Sequence, residues 1–149
     1  MNAEKFVLIM MKIIRRLLIF ALLSTTYLVK CQDTSTNNEP KLLSVDDFEN
    51  RFNMEVYALL IDVRLKVEYR KERIKNPVNV PSRKNLDRMV DTLDHETPLY
   101  LYCTSNTRSI SAGEYLKELG FANIYVLEKG IRGWKEAGKP VNKGRVRRD

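Results

Sequence analysis

PLYLYCTSNTRSISAGEYLKELG, residues 98–120, divides into a strand, a loop and a helix. Leu99, Tyr100, Leu101 and Tyr102 follow a proline and form an apolar, aromatic run, too short for a helix and suited to a buried strand. The strand ends at Cys103. From Ser109 the spacing turns helical: Ala112, Leu116 and Leu119 share a face, Lys117 and Glu118 lie off it, and Gly120 is placed to stop the helix. Thr104, Ser105, Asn106, Thr107 and Arg108 make the connection.

A thiol at a strand end, followed by a tight polar loop that opens a helix, sits where backbone N–H groups and the positive end of a helix dipole converge. Such a cradle holds an anion, and Arg108 adds a positive charge. Together they favour thiolate over thiol, which makes Cys103 the candidate nucleophile. The competing reading is a small buried cysteine that closes a strand, since free cysteine is among the most buried residue types.

Working outward, strands and helices alternate. Leu42-Leu43 reads as a short edge strand, and Ser44 as the N-cap of a helix with Asp46 and Asp47 in its first turn and Phe48 and Phe52 on one face. Tyr57 to Val63 reads as a strand whose apolar run suits the middle of a parallel sheet. Val67 to Lys71 is a helical turn, Val78 to Val80 a strand, and Lys84 to Leu93 a helix burying Leu86, Met89, Val90 and Leu93. Asn123 to Leu127 is the last strand, and Ile131 to Ala137 a helix that presents Trp134 to the core. The fold class is α/β, a parallel sheet with helices on both faces, and ligands in such sheets bind beyond the carboxyl ends of the strands, where Cys103 lies.

The fragments in order resemble one family. An arginine five positions after Cys103, with a serine next, resembles the active-site loop of rhodanese-like sulfurtransferases. Ile61-Asp62-Val63-Arg64 with Glu68-Tyr69 resembles the family's Asp-Val-Arg stretch, Asn79-Val80-Pro81 its Asn-Ile-Pro, and Gly120-Phe121 its Gly-Phe before the last strand. Gly130-Ile131 with Trp134, then Ala137 to Val141, resembles its closing helix and tail. The departures are Glu72-Arg73 where Gly-His is common, Asn76-Pro77 where Gly-Ala is common, and Asn106 where the loop commonly has glycine. Asn enters left-handed backbone conformations more readily than most residues.

The resemblance implies a rhodanese-like sheet over residues 42–141 and transfer of a sulfane sulfur, from a donor such as thiosulfate to a thiol or cyanide acceptor, through a persulfide on Cys103. Arg108 would hold the anionic donor, the loop amides would stabilise charge on sulfur, and Asp62 and Arg64 would brace the loop. Read locally, Asp62 caps or pairs at its strand end and Arg64 pairs with Glu68. Two other functions stay in view. A phosphatase or arsenate reductase also cradles an oxyanion between cysteine and arginine, but over a longer loop than the four residues here, and no acid stands in this loop. A non-catalytic module would bind a partner through the same surface, although inactive relatives usually lose the cysteine.

Composition narrows the partners. The 149 residues are 44% hydrophobic and 30% charged, which fits one globular domain. The net charge of +7 does not belong to the domain, where 16 Lys and Arg face 15 Asp and Glu between Leu42 and Val141. The excess lies in the N-terminal segment and in a frayed basic tail, residues 142–149, so no nucleic-acid partner is expected. Two cysteines and one histidine are too few for most zinc sites, and neither metal nor cofactor is expected. His95, among Asp94, Glu96 and Thr97, is not expected to serve Cys103 as a base.

Residues 1–31 read as a signal peptide: Arg15-Arg16, the apolar run Leu17 to Leu23, then Ser24, Thr25 and Thr26. That run is well short of the about 20 residues a spanning helix needs. Met11, followed closely by Lys12, Arg15 and Arg16, makes a more compact start than Met1. Cys31 and the polar stretch after it resemble a bacterial lipoprotein, with residues 32–41 as a flexible linker, though Lys30 departs from the small residue usual before the cysteine. Lipidation of Cys31, ordinary cleavage and an uncut signal are the three outcomes. The expected place is outside the cytoplasm, periplasmic or held at a membrane through a lipid on Cys31.

Overall fold

Strand β5, Leu99–Tyr102, runs through the middle of a five-stranded sheet, and its alternating side chains seed two separate cores. Leu99 and Leu101 point to one face, where they meet Ile61, Leu116, Ile124 and Val126; Tyr100 and Tyr102 point to the other, with Phe48, Tyr125, Ile131 and Trp134. All four strand residues are fully buried, as a central parallel strand covered on both faces requires.

A computed structural model describes Met10, Met11 and residues 39–144; the rest of the signal segment, Cys31 included, and the last residues of the tail lie outside the described residues. Before β5 come β1 (Lys41–Leu43), α1 (Val45–Met54), β2 (Leu59–Asp62), α2 (Lys66–Lys71), β3 (Glu72–Arg73), β4 (Val78–Asn79) and α3 (Arg83–Val90). After it come α4 (Thr107–Glu118), β6 (Ile124–Leu127), α5 (Gly130–Glu136) and β7 (Asn142–Lys143). The large sheet is parallel throughout, in the order β1-β6-β5-β2-β4. Helices α3 and α4 supply Leu86, Val90 and Leu116 to one face, and α1 and α5 supply Phe48, Ile131 and Trp134 to the other. No helix among the described residues is long and apolar enough to cross a membrane.

Local chemistry sets the element ends. Ser44 caps α1 by accepting from the Asp47 N–H at 3.2 Å, and Ser82 caps α3 through the Asn85 N–H at 3.4 Å. Trp134 lies in the core and donates its indole N–H to the Pro140 carbonyl at 2.9 Å, which closes the turn after α5. Most element ends shift by one to three residues from the sequence reading, α3 for instance ending at Val90 rather than Leu93, and three differences have consequences. Helix α4 starts at Thr107 rather than Ser109, so the loop is only Cys103 to Asn106 and Arg108 belongs to the first helical turn. Strand β2 starts at Leu59, because Tyr57 faces solvent in the turn before it.

The third difference joins the Glu72-Arg73 departure to the tail. Glu72 and Arg73 form β3, which pairs antiparallel with Asn142 and Lys143 of β7. Arg73 donates to the Gly144 carbonyl at 2.7 Å, and the Gly144 N–H to the Arg70 carbonyl at 3.1 Å. The beginning of the tail is thus a strand rather than a frayed end, and the sheet likewise begins at Lys41, the last residue assigned to the linker.

Candidate active site

Cys103 follows β5 directly, at the carboxyl end of the sheet, and is 1% exposed. Its carbonyl is pinned from behind: Ile131 N–H donates to Cys103 O at 2.8 Å and Arg132 N–H to Thr104 O at 3.3 Å. The chain reaches those positions through Lys129 and Gly130, both in the left-handed region at φ +58° and +55°. The turn from β6 into α5 therefore forms the floor of the loop.

Around the sulfur, burial pushes the Cys103 thiol up. The Ser109 hydroxyl and the amides of Ser109, Ser105 and Arg108 pull the other way and prevail, leaving the thiol below its ordinary value. Ser109 Oγ lies 3.6 Å from Sγ and 2.9 Å from the Asn106 carbonyl, so its one proton serves either acceptor. Asn106 turns the chain into the helix at φ +155°, a conformation glycine enters more easily. Its presence in place of glycine stores strain beside Cys103.

Arg108 extends from the first turn of α4 to α2. Its Nη1 and Nη2 donate to Glu68 Oε2 and Oε1 at 2.8 and 2.9 Å, and Nη2 also reaches Thr104 Oγ1 at 2.9 Å. Thr104 in turn donates to Glu68 Oε1 at 2.8 Å. Hydrogen bonds from Arg108, chiefly, with those from Thr104 and the Leu65 amide, lower the Glu68 carboxyl to about 2 against the opposing effect of burial. The sequence reading gave Glu68 to Arg64. The structure gives it to Arg108, and Arg64 instead forms a buried pair with Asp62, Nη2 to Oδ2 at 2.6 Å and Nε to Oδ1 at 3.0 Å.

The Asp62–Arg64 pair lies at the end of β2, next to the strand that carries Cys103. Arg64 also donates to the Glu72 carbonyl at 2.7 Å, and its guanidinium lies 5.5 Å from the centre of the Tyr102 ring. Asn79 holds the Asp62 and Arg64 carbonyls at 3.0 and 2.8 Å. These groups fix the end of β2 against Tyr102 and Glu72, one strand away from Cys103. His95 precedes β5, at the other end of the sheet, with its ring against Phe121 at 4.8 Å. Three contributors escaped sequence reasoning: Ser109, Gly130 and Glu68 in its bond to Arg108. Each carried a signal only through the resemblance: Ser109 as the serine after Arg108, Gly130 in the Gly-Ile and Trp134 pattern, and Glu68 in the Asp-Val-Arg to Glu-Tyr stretch.

Two cavities flank the loop. One, of about 390 Å³, lies on the Arg108 side and is lined mainly by apolar groups of α3, α4 and the ends of β2 and β4. The other, of about 260 Å³, lies on the Thr104 side and carries Lys71, Arg132 and Lys135.

A parallel sheet with a thiol at its carboxyl end, seated among helix-terminal amides, defines an anion-cradling cysteine site. The rhodanese-like domain model matches residues 44–137, and the chain belongs to that family. Among curated proteins it is 42% identical over 79 residues to a tRNA uridine(34) hydroxylase of Hamiltonella defensa, covering 50% of this chain and 22% of that protein. With the same-named protein of Yersinia pestis the identity is 37% over 93 residues, covering 56% and 26%. The chain thus spans about a quarter of the length of these curated relatives. Among solved structures it is similar to a thiosulfate sulfurtransferase from Pseudomonas aeruginosa, with TM-score 0.64, 26% identity, and 73% of this chain and 21% of that one covered. It is also similar to a polysulfide-sulfur transferase homodimer from Wolinella succinogenes, with TM-score 0.60, 29% identity, and 79% and 89% covered.

Proposed function

We propose that this domain moves a sulfane sulfur through a persulfide on Cys103. The thiolate attacks the outer sulfur of a donor such as thiosulfate, the donor's S–S bond breaks, and the leaving group departs with the electron pair. A thiol or cyanide acceptor then attacks the outer sulfur of the persulfide and releases the Cys103 thiolate. Neither step needs an external oxidant or reductant. The observation that carries this reading is the convergence of the Ser105, Arg108 and Ser109 amides and the Ser109 hydroxyl on one buried sulfur. Those fixed dipoles stabilise negative charge on sulfur without reorganising, as an oxyanion hole does.

The curated relatives share only this module with the chain, so the reading concerns the module's own chemistry and not uridine hydroxylation. Export, with or without a lipid on Cys31, belongs to the same proposal and rests on the N-terminal pattern alone. The test is loading: the domain is incubated with sulfur donors, freed of excess, and weighed intact. One added sulfur atom, removed by cyanide and absent from Cys103→Ser, is the expected result. A folded protein that loads from no donor favours the binding module instead.

A further inference from the structure

The three most exposed large apolar side chains among the described residues lie in one turn. Met54, Val56 and Tyr57, at 82%, 87% and 85% exposure, carry the chain from α1 towards β2, with only the partly buried Glu55 between them. Single exposed apolar residues are ordinary, whereas three in one turn form a patch of the kind that meets a partner or a membrane.

The turn lies at the amino end of the sheet. Because the large sheet is parallel, Leu59 of β2 is level with Leu99 of β5 and Ile124 of β6, and Lys41, where the chain enters β1, pairs with Tyr125. The patch and the entry of the N-terminal segment thus share one end, and Cys103 stands at the other. Nine residues separate Cys31 from Lys41 and 17 separate Leu23 from it, stretches that reach at most about 30 and 60 Å. A patch kept so near a bilayer by a tether needs little affinity of its own to engage it.

The charges around the patch suit a phosphate surface. Arg51 and Lys41 lie 4.5 and 5.9 Å from the centre of the Tyr125 ring, and Lys75 lines a cavity with Asn53 of α1. Glu55 is paired with Arg51 at 3.3 Å, which leaves Lys41 and Lys75 in excess on this side. Acids of the same end, Asp91, Asp94, Glu96 and Glu118, belong to α4 and the connection after α3, on the face away from α1. Glu39 likewise precedes Pro40, which packs beside Gly113 of α4. Cations that rim an apolar patch reach headgroups while the apolar tips enter the interface, where tyrosine is favoured. Three side chains fall short of the about 800 Å² per partner that a stable protein interface buries.

We propose that the turn from α1 to β2 is a membrane-contact surface: in the anchored protein Met54, Val56 and Tyr57 enter the headgroup region, and the sheet stands on its amino end with Cys103 turned away from the lipid. The inference rests on the reading that the N-terminal segment, uncut or lipidated at Cys31, holds the chain at a membrane.

For the test, the full-length chain is reconstituted into vesicles of phosphatidylcholine and phosphatidylglycerol with brominated or ordinary acyl chains. Flotation with the vesicles and tryptophan emission are read. The native chain, whose one tryptophan is buried, sets the baseline. Val56→Trp and Tyr57→Trp each place an indole in the patch, and Val67→Trp places one at an exposed position of α2, near the carboxyl end of the sheet. Emission added at positions 56 and 57 should shift to shorter wavelength on vesicles and be quenched by bromine, and emission added at position 67 should do neither. A chain that floats without quenching at either patch position overturns the inference while the anchor stands. Equal quenching at position 67 does the same, because the domain then has no preferred end. A wavelength shift without bromine quenching points to a second copy of the chain over the patch and also overturns the lipid contact. A chain that does not float overturns both the inference and the anchor. Two patch variants keep the result independent of the folding of either.

Discussion

Gly130 lies so close to the carbonyl of Cys103 that a Cβ there would come within 2.4 Å of the oxygen. Backbone cannot yield as the tip of a flexible side chain can, and the glycine also stands at φ +55°. Gly130→Ala should therefore destabilise the domain by about 3 kcal/mol, near the upper end for single substitutions. The loaded fraction should fall further than the folded fraction, because the floor of the loop moves. Thermal unfolding and sulfur loading on one sample compare the two losses, and equal losses would confine Gly130 to folding.

Cys103 should react as a thiol of lowered pKa. Plotted against pH, its rate of alkylation by iodoacetamide should have a midpoint below the about 8.5 of free cysteine. Ser109→Ala removes the hydroxyl 3.6 Å from Sγ and should move that midpoint upward. An unchanged profile would show that the Ser109 proton rests on the Asn106 carbonyl.

Asp62 and Arg64 should matter for folding before chemistry. Neutralising Asp62 as Asp62→Asn leaves a guanidinium 2% exposed without its counter-charge, a loss of roughly 3–5 kcal/mol for a broken buried pair. Denaturant unfolding measures it. A loss below that of a surface pair would mean that the Glu72 carbonyl and the Tyr102 ring suffice for Arg64.

Glu68 links stability to acid. Its folded carboxyl is depressed from 4.5 to about 2, so the stabilisation is complete above the unfolded value and lost as pH falls through about 2. Glu68→Gln should lose stability less steeply across that window than the native protein. Both partners of the pair are partly solvated, so added salt should narrow the difference. Parallel slopes would remove the linkage.

The export proposal is checked by fractionating expressing cells. A chain shortened at its N-terminus, found outside the cytoplasm, is the expected form. If that form is in membranes, Cys31→Ser should release it; full-length protein in the cytoplasm would end the proposal.

Much of this was legible because the informative residues are local. The run Leu99 to Tyr102 announces a strand buried on both faces, and the polar residues after Cys103 announce a helix opening. Trp134 was read as core and is core. What could not be read depends on partners distant in the chain. Glu68 has Arg64 four residues away and Arg108 forty away, and only the packing of α2 beside the start of α4 selects the second. Likewise Asn142 and Lys143 have the composition of a loose end until Glu72 and Arg73 offer them an edge. Helix α4 begins early because Asn106 takes up the turn that Thr107 and Arg108 were expected to share.

The order of strands also governs how this domain emerges from the ribosome. Lys41 to Leu43 are made first among the strands, yet they pair with Tyr125 to Leu127, near the end of the domain. Until β6 is synthesised, β5 has only β2 beside it, and its other edge, an apolar stretch that leads into Cys103, is open to any chain that can add a strand. A product stopped short of Leu127 therefore exposes the most buried strand of the finished protein, and such fragments should aggregate through the segment that carries Cys103.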